Sequence, residues 1–117
     1  MTKSEDRIQA ECTTWAHNTY PDLRLNWWHV PNGGTRNLIE ARKLKTMGVK
    51  AGVWDIHCYY KGQFSIIEMK TETGQYSAEQ KIWGAEIKKM GAKLYLCRSL
   101  EDFKKVFSEI FGLDNLT

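Results

Sequence analysis

"VWDIHCYYKGQFSIIEMK", residues 53–70, reads as a strand, a two-residue loop and a second strand. Lys61-Gly62 is the loop, because Gly supplies the positive φ that a tight hairpin turn needs and the flanking residues are aromatic and aliphatic. With Tyr60 facing Gln63, counting back along both arms sets Asp55 opposite Glu68 and Val53 opposite Lys70, all on one face. Both arms are apolar on both faces: Trp54, Ile56 and Cys58 on one, Val53, Tyr59, Phe64 and Ile66 on the other. Strands with that pattern are covered from both sides.

The register raises a question of charge. Cross-strand partners have Cβ atoms about 4.5–5.5 Å apart, and like charges placed there are destabilising. Two hard oxygen donors at that spacing, with a backbone carbonyl between Glu68 and Lys70, form a partial shell for Mg²⁺, which keeps its other positions for water and phosphate. A divalent ion held there would polarise phosphorus and make water a nucleophile at neutral pH. Lys70 projects from the same face toward the same place. Two plainer readings stand beside this one: a carboxyl that stays protonated or pairs only with Lys70, or a bulge that shifts the register so that the acids never meet.

Outward from the hairpin, 117 residues suffice for one domain, 1–117, with one sheet and its helices. A hydrophobic content of 42% with five Trp describes a globular protein, and no apolar run approaches the roughly 18 residues of a membrane span. The charged start "MTKSEDRIQAEC" lacks the apolar core of a signal peptide, so a cytoplasmic location is expected. Cys12, Cys58 and Cys97 are widely separated among apolar residues, which suits reduced core thiols, and no close Cys/His pair provides zinc spacing.

Ser4 caps a helix over residues 4–19 that places Ile8, Cys12, Trp15 and Ala16 at helical spacing, and Pro21 ends it. "LRLNWWHV", residues 23–30, follows as a strand that "PNGG" breaks. Residues 37–47 return to helical spacing through Leu38, Ile39, Ala41, Leu44 and Met47, with Gly48 as the stop. After the hairpin, Ser77 caps "SAEQKIWGAEIKKM", "AKLYLCR" is a short strand, and a final amphipathic helix starts at Ser99. Phe103, Val106, Phe107, Ile110 and Phe111 form the apolar side of that last helix, which can cover the sheet or meet a second subunit and is expected to cover the sheet. The order α-β-α-β-β-α-β-α predicts an α/β fold, a mixed β-sheet flanked by α-helices.

Asp55, twelve intervening residues and then Glu68-Met69-Lys70 resemble the D…ExK signature of the PD-(D/E)XK nuclease superfamily. More closely, "SEDRIQ", "HVPNGGTRN", "EARKLKTMGVKAGVWD", "IIEMKTETGQYSAEQ" and "RSLEDF" together resemble the VRR-NUC (virus-type replication-repair nuclease) family in its small stand-alone phage and bacterial form. The resemblance runs over nearly the whole chain. It implies a restriction-endonuclease-like core and a Mg²⁺- or Mn²⁺-dependent DNA endonuclease acting on branched or flapped DNA, such as Holliday junctions or other repair intermediates. It also implies that Asp55, Glu68 and the Met69 carbonyl hold the metal, that Lys70 orients the attacking water or stabilises the transition state, and that Gln80 supports the site. Glu5, with Ile8 and Gln9 three and four residues on, fits the family's helix-1 carboxylate better than Glu11. One departure is Trp54, where the superfamily carries Pro and close relatives a small residue.

Arg36, Arg42, Lys43, Lys45 and Lys50 face a single acid, Glu40, in the stretch leading to Asp55. That is either the electrostatic footprint of a phosphate backbone or an ordinary solvated helix face. The glycines of "HVPNGG" either turn the chain or let backbone amides, with His29 and Asn32, approach a phosphate. His57, opposite Ile66, is expected to be a packed residue rather than a general base. Among the aromatics, Trp28 and Tyr76 lie nearest to loops and are the exceptions to an expected core placement. The rival readings are a non-catalytic nucleic-acid-binding module on the same fold and a structural domain that neither binds nor cuts. A homodimer is compatible with the small size and with cutting two strands.

Overall fold

A computed structural model of the chain describes residues 3–31 and 37–113. The elements are α1 (Glu5–Thr19), a 3-10 turn (Pro21–Leu23), β1 (Trp27–His29), α2 (Leu38–Thr46), β2 (Ile56–Tyr60), β3 (Gln63–Met69), α3 (Ala78–Lys89), β4 (Lys93–Cys97) and α4 (Leu100–Phe111). The described residues form a mixed four-stranded sheet in the order β1-β2-β3-β4. The first two pairings are antiparallel, and β4 runs parallel to β3 after the crossover through α3.

The hairpin has the register counted from its turn, with Tyr60 facing Gln63, His57 facing Ile66 and Ile56 facing Ile67. Lys61 and Gly62 both adopt positive φ, 49° and 82°, the twist that lets a two-residue loop join right-handed strands. Ser4, Ser77 and Ser99 each accept the backbone amide three residues on, which satisfies an orphan donor of α1, α3 and α4.

One face of the sheet carries the main core. Ile8, Cys12 and Ala16 of α1 and Phe103, Phe107 and Phe111 of α4 close over Trp27, Ile56, Cys58, Ile67, Met69 and Cys97. The last helix thus covers the sheet, and all three cysteines are buried, free thiols. The opposite face lies under α3, where the His57 ring stacks on Trp83 at 5.6 Å and 11° between planes. Burial pushes the His57 pKa down, in keeping with a packed, neutral imidazole. Among the described residues, no helix is long and apolar enough to cross a membrane.

Two expectations need correction. The strand over residues 23–30 is reduced to Trp27–His29. Pro21 opens a 3-10 turn, and local bonds from Leu23 to Tyr20 and from Asn26 to Leu23 use backbone groups that a longer strand would have paired. Leu25 is left 94% exposed. Helix α2 forms with Asn37 as its cap, and of its apolar residues Leu38, Ile39 and Met47 are exposed while Leu44 is half-buried. Periodicity predicted the helix correctly, but said nothing about what would cover it.

Second, Trp54 does not share a face with Ile56 and Cys58. It precedes the β2 ladder, so strand alternation does not govern it, and its indole lies against Gly84 of α3 and stacks on Tyr76 at 5.0 Å. Of the two loop-proximal aromatics, Trp28 is exposed whereas Tyr76 is half-buried in that stack.

Candidate active site

The hairpin's open end brings two carboxylates together in a reciprocal exchange. The Asp55 amide donates to Glu68 Oε1 at 3.2 Å, and the Met69 amide donates to Asp55 Oδ2 at 2.9 Å. Each acid is thus tied to the backbone of the other arm. Glu68 is completely buried, and its second oxygen accepts Gln80 Nε2 at 2.7 Å and lies 3.3 Å from Lys70 Nζ. A third carboxylate arrives from α1. Glu5 stands in that helix's first turn, and one oxygen each from Glu5, Asp55 and Glu68 lies within 4.8 Å of the others.

This crowding shows in the acidities. Burial, then the Asp55 charge, pushes Glu68 up to about 7 despite Lys70 and the Asp55 amide. Burial raises Asp55 against the opposing pull of the Met69 amide, His29 and Lys70. Burial and Asp55 likewise raise Glu5. Three acids displaced in the same direction, with one lysine among them, form an acceptor-rich site short of positive charge.

Glu11, the other carboxylate considered on α1, stands apart from this cluster. Glu11 is paired with Lys3 at 2.9 Å and Arg7 at 3.6 Å, so Glu5 is the helix-1 carboxylate beside Asp55. The His29 Nδ1–H donates to the Asp55 carbonyl at 2.9 Å, and His29, Gln9 and Met69 line a small cavity with Glu5 and Asp55. Gln80 also closes the capping box of α3, with its Oε1 accepting the Ser77 amide at 2.9 Å. Arg42, Lys43 and Lys45 are exposed on α2, and Lys50 lines the clefts beside that helix. Asn32 and Arg36 lie outside the described residues.

A cleft of about 220 Å³ opens onto the acids, lined by Glu5, Ala51, Gly52, Val53, Asp55, Glu68, Ser77, Glu79 and Gln80. At its edge Gly52, with φ +84°, packs directly against the start of α3, where a Cβ would collide with the Glu79 carbonyl. A larger cleft of about 410 Å³ beside α2 shares Ala51 and Gly52 with the first, so the basic helix borders the acidic site.

Trp54 is a fastening. Its Nε1–H donates to the Gln80 carbonyl at 2.9 Å, and Gly84 leaves room for its ring, since a Cβ there would stand 2.8 Å from Trp54 Cζ2. Gln80 is therefore held through both its backbone and its side chain. Gly84→Val should lower stability by about 2 kcal/mol through overpacking, a net loss despite the gain in helix propensity. Urea denaturation measures it, and a midpoint equal to that of the parent would contradict the packing described. Sequence reading missed the paired roles of Trp54 and Gly84, for which a bulky residue before Asp55 and a glycine inside a helix are the only local signals.

The comparisons agree with this geometry at the level of fold. No family model matches the sequence, and no curated protein matches it. A solved structure described as "VRR_NUC domain protein" superimposes with a TM-score of 0.77 at 23% identity, covering 97% of this chain and 95% of that chain. The fold is that of a VRR_NUC domain, a restriction-endonuclease-like α/β core, as the sequence motifs implied.

Proposed function

We propose that the chain is a divalent-metal-dependent nuclease acting on DNA. The observation that carries this reading is the convergence of Glu5, Asp55 and Glu68, with Lys70 beside them, in an open cleft of a nuclease-type fold. The donor set fits Mg²⁺ or Mn²⁺: hard carboxylate oxygens, crowded and buried enough that their pKa values are held above the ordinary carboxylate range. Glu5, Asp55, Glu68 and the Met69 carbonyl would hold the ion. When bound, it supplies Lewis-acid polarisation of the phosphate and a water nucleophilic at neutral pH.

The protein's own groups do the rest. Gln80 and the Asp55 amide fix the Glu68 carboxylate so that it need not reorganise. Lys70, its side chain only 12% exposed, presents a cation where charge builds on the phosphate oxygens. Arg42, Lys43 and Lys45 supply contacts to the phosphate backbone. The resemblance to stand-alone VRR-NUC proteins adds branched or flapped DNA as the substrate and two copies acting together, one per strand.

Binding is testable apart from cleavage. Replacing Arg42, Lys43 and Lys45 together by Ala should flatten the slope of log K for DNA against log salt by about 2 to 3, each lost phosphate contact contributing about 0.9. Fluorescence anisotropy in EDTA measures it, and an unchanged slope would remove α2 from the DNA interface. A wild-type protein that binds DNA with steep salt dependence yet makes no product with either metal would favour the non-catalytic module.

A further inference from the structure

We propose that Arg98 is a positioning residue for Lys70, acting through the backbone of residues 71–74 with Gly74 as the contact. The proposal rests on the nuclease reading for its consequence, though not for its geometry.

Residues 70–77 connect the end of β3 to α3 and so join the two halves of the site, Lys70 on one side and Gln80 on the other. The segment has no regular structure of its own. Sheet pairing continues one step beyond β3, where the Lys70 amide donates to the Cys97 carbonyl at 3.0 Å, and this brings Arg98 alongside. One guanidinium nitrogen, Nη1, then gathers three carbonyls: Thr71 at 2.7 Å, Gly74 at 2.7 Å and Glu72 at 3.3 Å. Arg98 is itself anchored, since its amide donates to Asp102 Oδ2 at 2.9 Å in the first turn of α4. A charged donor on a fixed base thus folds the segment into a turn, closed by the Gly74 amide on the Thr71 carbonyl at 3.3 Å.

Gly74 links this turn to the site. A Cβ at that position would lie 3.3 Å from Lys70 Cδ, 3.5 Å from Lys70 Cβ and 3.2 Å from Thr71 Oγ1. The stem of Lys70 therefore runs along the bare Cα of Gly74, with its Nζ 3.3 Å from Glu68 Oε2. A lysine stem carries about 2 kcal/mol of rotamer entropy, so a wall that confines it before substrate arrives is worth having. Arg98 holds that wall by its carbonyl. A role limited to stability would predict no special effect on Lys70.

Lys70 reactivity decides between these without any substrate. Metal-free protein is acylated with acetic anhydride and lysine rates are read by peptide mapping, with exposed Lys93 as internal reference. Arg98→Gln should raise the Lys70 rate about tenfold by loosening the turn, with Arg98→Lys intermediate. Gly74→Ala should also shift the Lys70 rate, because its methyl at 3.3 Å from Lys70 Cδ displaces the stem while leaving the Gly74 carbonyl to Arg98, and the double variant should depart from additivity, as expected of one shared path. In cleavage, kcat should fall about 10- to 100-fold with KM for DNA unchanged.

Unchanged Lys70 acylation in folded Arg98→Gln overturns the proposal, whatever happens to activity. Should Arg98→Gln fail to fold, unchanged acylation in Gly74→Ala overturns it equally. A wild type that cleaves no DNA would defeat the nuclease reading, whereas the acylation rates would still decide the positioning claim.

Discussion

Asp55→Asn should lower metal-dependent DNA cleavage by about 10³-fold, the scale seen when one preorganised charge-stabilising group is lost, while making the metal-free protein harder to melt at pH 8. The two effects have one origin. An asparagine oxygen can still accept the Met69 amide that now donates to Asp55 at 2.9 Å, so the hairpin end keeps its geometry. What disappears is a charge that raises the pKa of both Glu68 and Glu5. Relief of that repulsion at partly buried positions is worth on the order of 1 kcal/mol, or a rise of roughly 4 °C in a chain of this size. Cleavage of a labelled substrate and a thermal melt in EDTA measure the two halves. Full activity in the folded variant would sink the catalytic assignment, and a lower Tm would contradict the account of the repulsion.

The second large effect concerns pH. Glu68 is pushed up to about 7, so the folded, metal-free protein keeps a proton that the unfolded chain releases near its ordinary value of 4.5. The folded state binds more protons between those limits, and stability therefore falls as pH rises from about 4.5 to about 7 and is level beyond. His57 acts in the opposite sense, because its lowered pKa makes the unfolded chain the stronger proton binder and stability is lost on acidification. The clean quantity is thus the difference between wild type and Glu68→Gln. The variant should gain over wild type as pH rises through that window, and match it most closely at the acid end. Mg²⁺ should do for wild type what the substitution does, adding about 2.7 kcal/mol at a hundredfold excess over Kd at pH 8 and much less at pH 5, where protons compete. Scanning calorimetry with and without Mg²⁺ at both pH values tests this. Equal Mg²⁺ shifts at pH 5 and pH 8, or a Glu68→Gln difference that does not change with pH, would contradict it.

The parts of the fold that were legible in the sequence are those with short-range causes. Lys61-Gly62 sets the hairpin turn, and a turn fixes register for both arms, so the neighbourhood of Asp55 and Glu68 followed by counting, although the paired ladder itself ends at Ile56 and Ile67. Ser4, Ser77 and Ser99 announce their helices because a cap acts within three residues. What the sequence hid depends on distant partners. The strand propensity of residues 23–30 yielded to a local 3-10 turn, and the helical spacing of α2 did not tell that Leu38, Ile39 and Met47 meet solvent. Trp54 left the strand pattern because Gly84, thirty residues on, made room for it.

The candidate site divides in the same way. The hairpin alone located Asp55, Glu68 and Lys70, whereas Glu5 and Gln80 came only from the resemblance, since neither is tied to the hairpin by any local rule. Their contacts are made by α1 and α3 crossing the sheet's open end. Arg98 has no role legible in "RSLEDF", because a guanidinium that gathers backbone carbonyls leaves no trace in residue type.

The central claim is that Glu5, Asp55 and Glu68 hold a divalent ion that cuts DNA. Its most direct test is a panel of labelled duplex, flap and four-way-junction DNA incubated with purified protein in Mg²⁺, in Mn²⁺ and in EDTA, beside Asp55→Asn. The account predicts cleavage by wild type with the metals, none in EDTA and little by the variant. Intact DNA in every metal lane, or equal cleavage by wild type and Asp55→Asn, would contradict it.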